Sequence, residues 1–152
     1  MHCSQSNTLD YKSILERDGV IIQLPTGKSM KPMLIEKQDT VVIRKVDRKL
    51  RANDVVFYLN NANEYVLHRI IKVKKDGYVI RGDNNAFNEY DITDKHIIGI
   101  LSGFYKKNKY IDCEKSFKYK CYVQFNRRTY YIRYLFKGLK NFMVRALNKL
   151  KK

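Results

Sequence analysis

Between Val20 and Tyr105 the chain is written as short apolar, β-branched runs broken by turn residues, with no stretch of helical period between them. The runs are Val20–Leu24, Thr40–Val46, Val55–Leu59, Tyr65–Val73, Tyr78–Arg81 and Ile97–Tyr105. Val, Ile, Tyr and Phe fill them, and such branched or flat side chains suit a pleated, half-buried surface. Pro25-Thr26-Gly27, Arg51-Ala52-Asn53, Asn60–Asn63, Asp76-Gly77 and Gly82–Asn88 separate them. These residues supply the kinked and left-handed backbone of tight turns. Parallel strands need long crossovers, usually helices, so strands joined this directly must pair antiparallel. The expected fold is mainly β, built on antiparallel sheet.

The two ends depart from this pattern. Residues 8–18 read as a short helix that Ser6, Asn7 or Thr8 can cap, with Leu9, Ile14 and Leu15 on its apolar side and Gly19 as its stop. At the other end Ile132, Leu135, Phe136, Leu139, Phe142, Met143, Leu147 and Leu150 recur at helical spacing. Arg133, Lys137, Lys140, Arg145 and Lys149 fall mostly off that face, and Gly138 weakens the helix only modestly. Charge follows the same division. The chain carries 31 Lys and Arg against 15 Asp and Glu, a net +16. No acidic residue follows Glu114, while residues 115–152 hold 12 of the basic ones. We expect a helical segment over 1–19, a β-domain over 20–112 and a basic amphipathic extension over 113–152.

Cys3, Cys113 and Cys121 form no C-x-x-C pair and suggest free thiols in a reducing compartment. The opening residues lack the basic and apolar regions of a secretory signal, and no run is apolar enough to span a bilayer. The expected location is cytoplasmic, with peripheral attachment to the inner membrane face open to the tail. No metal or cofactor is expected.

Chemistry concentrates in Gly27-Lys28-Ser29-Met30-Lys31-Pro32-Met33-Leu34, which follows the first strand. A serine after a Pro-Gly turn is usually only a turn residue. Later segments in fixed order change that weighting: Asp39–Ile43, Asp54–Phe57, Val66-Leu67-His68-Arg69-Ile70, Val79–Asn85 and Ile97-Ile98-Gly99. Taken together they resemble the signal peptidase I family, within the wider LexA/signal peptidase superfamily, over about residues 20–105. The resemblance implies a fold of coiled antiparallel sheets and cleavage of peptide bonds after small side chains. It places the nucleophile on Ser29 and the general base on His68, the histidine variant rather than the lysine one. It also implies an N-terminal membrane anchor, for which residues 1–19 hold no counterpart.

The residues themselves support those roles. A serine hydroxyl is a weak nucleophile until a base within hydrogen-bond reach takes its proton, and imidazole is mostly neutral at pH 7. His68 is flanked at i±2 by Val66 and Ile70, which puts it on the apolar side of a regular strand. A third group should hold the imidazole. Asp83 is the first candidate and Asp91 the second, with Glu89 also in the region. The Ser29 backbone N–H is the expected oxyanion donor, and a second donor is unassigned. Met30, Pro32, Met33 and Leu34 either wall the substrate pocket or fill core.

The expected function is a serine endopeptidase that removes a leader or signal segment from a peptide or preprotein substrate. A basic nucleic-acid-binding regulator and a non-catalytic peptide-binding relative are the alternatives. Nucleic acid is the weaker partner, because residues 1–19 are too short for a helix-turn-helix domain. An anionic membrane surface is a partner open to residues 115–152. The oligomeric state does not follow from the sequence.

Overall fold

A computed structural model describes residues 10–150. The chain divides into two units, Met1–Lys115 and Ser116–Lys152.

In the first unit helix α1 runs Tyr11–Asp18. Its cap is Asp10, whose side chain accepts from the Lys12 and Ser13 amides; the candidate caps Ser6, Asn7 and Thr8 lie outside the described residues. Gly19 ends the helix at φ 70°, returning its N–H to the Leu15 carbonyl, a left-handed stop that glycine adopts without strain. The strands are β1 (Val20–Gln23), β2 (Thr40–Arg44), β3 (Val55–Leu59), β4 (Tyr65–Lys74), β5 (Gly77–Arg81), β6 (Glu89–Ile92), β7 (Ile97–Lys106) and β8 (Lys109–Asp112). They form one sheet in the order β1-β2-β7-β3-β4-β5-β6, with β8 paired to β7. All the ladders are antiparallel.

Two of these strands were not anticipated from the sequence. Strand β6 is four residues long, and its ladder to β5 shifts register between Tyr78 and Ile80. Strand β8 carries Lys109, Tyr110, Ile111 and Asp112, too polar for an apolar run. It exists because Lys107 and Asn108 both take positive φ, 48° and 64°, the turn that matches the twist of a two-residue hairpin.

Pairing in register puts opposed residues on one face. Val56, Tyr58, Ile70, Ile80 and Ile100 therefore project together, and with Leu50 and Ile92 they form a buried cluster. Val56, Tyr58, Ile70 and Ile80 are fully buried. Each such side chain contributes about 1.5–3 kcal/mol. Helix α1 contributes Leu15, which is buried beside β7. A Cβ on Gly99 would lie 2.9 Å from the Leu15 Cδ1 and 2.7 Å from the Ile43 Cγ2, so only glycine allows this close packing. Helix α1 lies in the same unit as the sheet.

The second unit is helix α2, Phe117–Leu150. At 1.5 Å per residue its 34 residues extend about 50 Å. Tyr119, Val123, Asn126 and Tyr130 are buried, whereas Ile132, Leu135, Phe136 and Met143 of the expected apolar face are exposed. The side chains of Leu139, Phe142, Leu147, Leu150, Arg133, Lys137, Lys140, Arg145 and Lys149 lie outside the described ones.

Candidate active site

Four segments of the sheet unit meet at His68. It lies on β4 opposite Val56 of β3, on the face of the buried cluster, and is itself 5% exposed. Tyr58 lies two residues along β3 on that same face. Glu89 opens β6 opposite Ile80 of β5, which in turn opposes Ile70. Strand registry thus gathers a phenol, an imidazole and a carboxylate that are 10 and 21 residues from His68 in the chain.

The three are joined by short hydrogen bonds. His68 Nδ1 lies 2.7 Å from Glu89 Oε1, and the Tyr58 hydroxyl donates to Glu89 Oε2 at 2.6 Å. The Tyr58 oxygen is also 3.0 Å from His68 Nδ1. An ionised carboxylate can only accept, so the first contact puts the imidazole proton on Nδ1 and leaves the Nε2 lone pair for an incoming proton. The hydrogen bond from His68 holds the Glu89 carboxyl below its ordinary value of 4.5, with Tyr58 acting in the same direction and partial burial opposing both. Burial raises the Tyr58 hydroxyl far above its ordinary value, with the Glu89 charge reinforcing it, so Tyr58 stays a donor.

The carboxylate on the imidazole is therefore Glu89. Asp83, the first candidate from sequence, occupies a different site. Its two oxygens accept from Arg69 Nε at 2.8 Å and Arg69 Nη2 at 2.7 Å, both side chains being almost fully buried. Arg69 follows His68 on β4 and so projects to the opposite face. There it also donates to the Asn53 carbonyl at 2.8 Å. Asp83 neutralises a buried guanidinium. Asp91, the second candidate, is exposed on β6 with φ 63°.

The Ser29 loop is docked onto the turn that follows β5. The Asn84 amide donates to the Ser29 carbonyl at 2.7 Å, and Asn84 Nδ2 donates to the Lys28 carbonyl at 3.1 Å. Gly82 makes this possible: a Cβ there would come within 2.8 Å of the Ser29 carbonyl oxygen and 2.9 Å of the Ser29 Cβ. The β4–β5 ladder runs Ile70↔Ile80, then Arg69↔Arg81, its last pair before Gly82. The Ser29 side chain is therefore held beside the end of β5, one residue past the partner of Arg69. Its hydroxyl and its backbone N–H form no hydrogen bond among the described residues, to His68 or elsewhere. Such contacts are often long without substrate and tighten when it binds.

Ser29 also lines a groove of about 470 Å³. Of the expected pocket residues, Met30 and Leu34 line it, together with Val41, Ile43, Phe57 and Leu67. Pro32 and Met33 do not. Pro32 is exposed, and Met33 is buried with its sulfur 3.1 Å from Arg69 Nη2. The groove is bordered by two strand margins. One is Gln23 and the residues after it, at the end of edge strand β1; the other is Tyr65–Leu67, where β4 is laddered to β3 alone.

A family model described as Peptidase S24-like matches residues 5–102. The chain belongs to this family. The match ends within β7, so the S24-like region holds Ser29, His68, Asp83 and Glu89 and stops short of helix α2. No curated protein matches the chain. Membership of the S24-like family places the protein within the LexA/signal peptidase superfamily, and the antiparallel sheet agrees with that fold. Sequence reasoning did not single out Tyr58. Its position two residues from Val56 becomes informative only once β3 is known to pair with β4 at Val56↔His68. Among the described residues no group of His, Cys, Asp and Glu is clustered to hold a metal.

Proposed function

We propose that this S24-like protein is a serine endopeptidase of the signal-peptidase type, acting through Ser29 and His68 with Glu89 as the acid that holds the base. The observation that carries this reading is the Glu89–His68 Nδ1 bond, which leaves the Nε2 lone pair to accept a proton. In the reaction Ser29 Oγ attacks the peptide carbonyl while its proton passes to His68 Nε2. The imidazolium that forms gains from the adjacent carboxylate, and the Ser29 N–H donates to the developing oxyanion. His68 then protonates the leaving amine, and water releases the acyl group by the same steps in reverse order. Proton transfer by a positioned base of this kind contributes about 10²–10⁴-fold in rate.

The groove supports an extended peptide as substrate. A strand laid between Gln23–Thr26 and Tyr65–Leu67 can bond to both margins, with alternate side chains directed toward Met30, Leu34 and Phe57. The expected products are a trimmed peptide and its leader, made in the cytoplasm or at the inner face of the membrane. Cleavage of an extended-peptide library, read by mass spectrometry, tests the proposal. Ser29→Ala and His68→Ala should each abolish cleavage while the thermal unfolding curve keeps its shape. Undiminished cleavage in either variant refutes the dyad.

A further inference from the structure

Helix α2 presents two distinct faces. Stepping about 100° per residue, buried Tyr119, Val123, Asn126 and Tyr130 fall within an arc of about 60°. Phe117, Phe125, Ile132, Leu135, Phe136 and Met143 fall within an arc of about 100° centred roughly opposite. All six are between 55% and 78% exposed. Lys118 and Arg128 share that arc, so the apolar row is formed chiefly by Ile132, Leu135, Phe136 and Met143 beyond them. A row of large exposed apolar side chains on one side of a helix is a surface for another phase, since scattered exposed apolar residues need no explanation but a contiguous row does.

We propose that this stripe is a membrane-surface anchor for an anionic leaflet, with helix α2 lying in the headgroup plane. Charge supports this occupant. Residues 115–152 carry 12 Lys and Arg and no Asp or Glu, and Lys118, Lys120, Arg127 and Arg128 are exposed along the described part. A lipid surface satisfies both features: acyl chains take the apolar stripe and acidic headgroups take the cations. A nucleic-acid backbone would satisfy the cations alone, leaving Ile132, Leu135 and Met143 in water, because aliphatic side chains do not stack on bases as aromatic ones do. The helix lies on the bilayer and does not cross it, as no described helix is long and apolar enough to span.

The test uses the full chain with vesicles of phosphatidylglycerol and phosphatidylcholine, set against phosphatidylcholine alone. The expected result is flotation with the anionic vesicles and a blue shift of fluorescence in Phe136→Trp, with no shift on adding a single-stranded oligonucleotide. Leu135→Gln with Phe136→Gln, which leaves the charge unchanged, should weaken vesicle binding about tenfold or more at unchanged helix content. Failure to float at low salt overturns the proposal. So does binding that the two glutamines leave intact, which would mark a purely electrostatic surface, or a tryptophan shift on the oligonucleotide rather than the vesicle. Cleavage by the Ser29 site is a separate readout, so this proposal and the peptidase reading can fail independently.

Discussion

Replacing Asp83 by asparagine separates two roles that a carboxylate near the site could play. If Asp83 serves Arg69, the substitution leaves a guanidinium buried without its counter-charge; the Arg69 side chain is 4% exposed and that of Asp83 2%. Removing one partner of a buried pair costs about 3–5 kcal/mol. Native domains hold about 5–15 kcal/mol in all, and 1 kcal/mol moves the melting temperature of a domain of about 100 residues by roughly 4–8 °C. The expected fall is therefore about 12–40 °C, measurable by circular dichroism. Below its own midpoint Asp83→Asn should still cleave the peptide library. Glu89→Gln should behave in the converse way. Its side chain is 33% exposed, so little stability is at stake, but cleavage should drop about 10²–10⁴-fold because the imidazolium loses its counter-charge. Replacing the ion pair with Arg69→Met and Asp83→Leu should recover much of the melting temperature lost in Asp83→Asn. An Asp83→Asn protein that melts like the wild type yet no longer cleaves would refute the assignment, and would return the catalytic acid to Asp83.

Gly82→Ala should displace the Ser29 loop, because the new Cβ meets backbone 2.8 Å away, and cleavage should fall by up to about 100-fold with the sheet still folded. Wild-type cleavage in that variant would show that the loop position tolerates the shift. Tyr58→Phe removes a donor to Glu89 and should cost about 0.5–1.5 kcal/mol. The Glu89 carboxyl should then titrate closer to its ordinary value, as followed by carbon NMR; an unmoved titration would detach Tyr58 from the site. The depressed Glu89 carboxyl also sets a pH dependence. The wild type's stability advantage over Glu89→Gln should be complete above the ordinary carboxyl value of 4.5 and vanish as pH falls through the lower folded-state value. An advantage that persists unchanged into acid would contradict the His68–Glu89 bond.

Local chemistry made much of this protein legible. Six of the eight strands follow from β-branched runs between turn residues, and Gly19 stops its helix as a left-handed residue must. Asn53, in the expected Arg51-Ala52-Asn53 turn, occupies φ 80°, a left-handed angle that asparagine tolerates. The two missed strands are short and polar, and they are held by pairing to a neighbour rather than by their own composition. The pocket was half legible for a similar reason: Met30 and Leu34 face the groove while Met33 turns toward Arg69, and nothing in a run of apolar residues says which way each one points.

What the sequence alone determined is the alternation of apolar and polar residues, the turns, and the ordered segments that single out Ser29 and His68. Those depend on neighbours within a few residues, where backbone preference and side-chain period act directly. The choice between Asp83 and Glu89 was decided only by the tertiary structure. Strand registry sends adjacent residues to opposite faces, so Arg69 draws Asp83 to one side of the sheet while His68 meets Glu89 on the other. A register shift before Ile80 and the length of the loop to β6 set that outcome, and neither is encoded in the identity of a carboxylate.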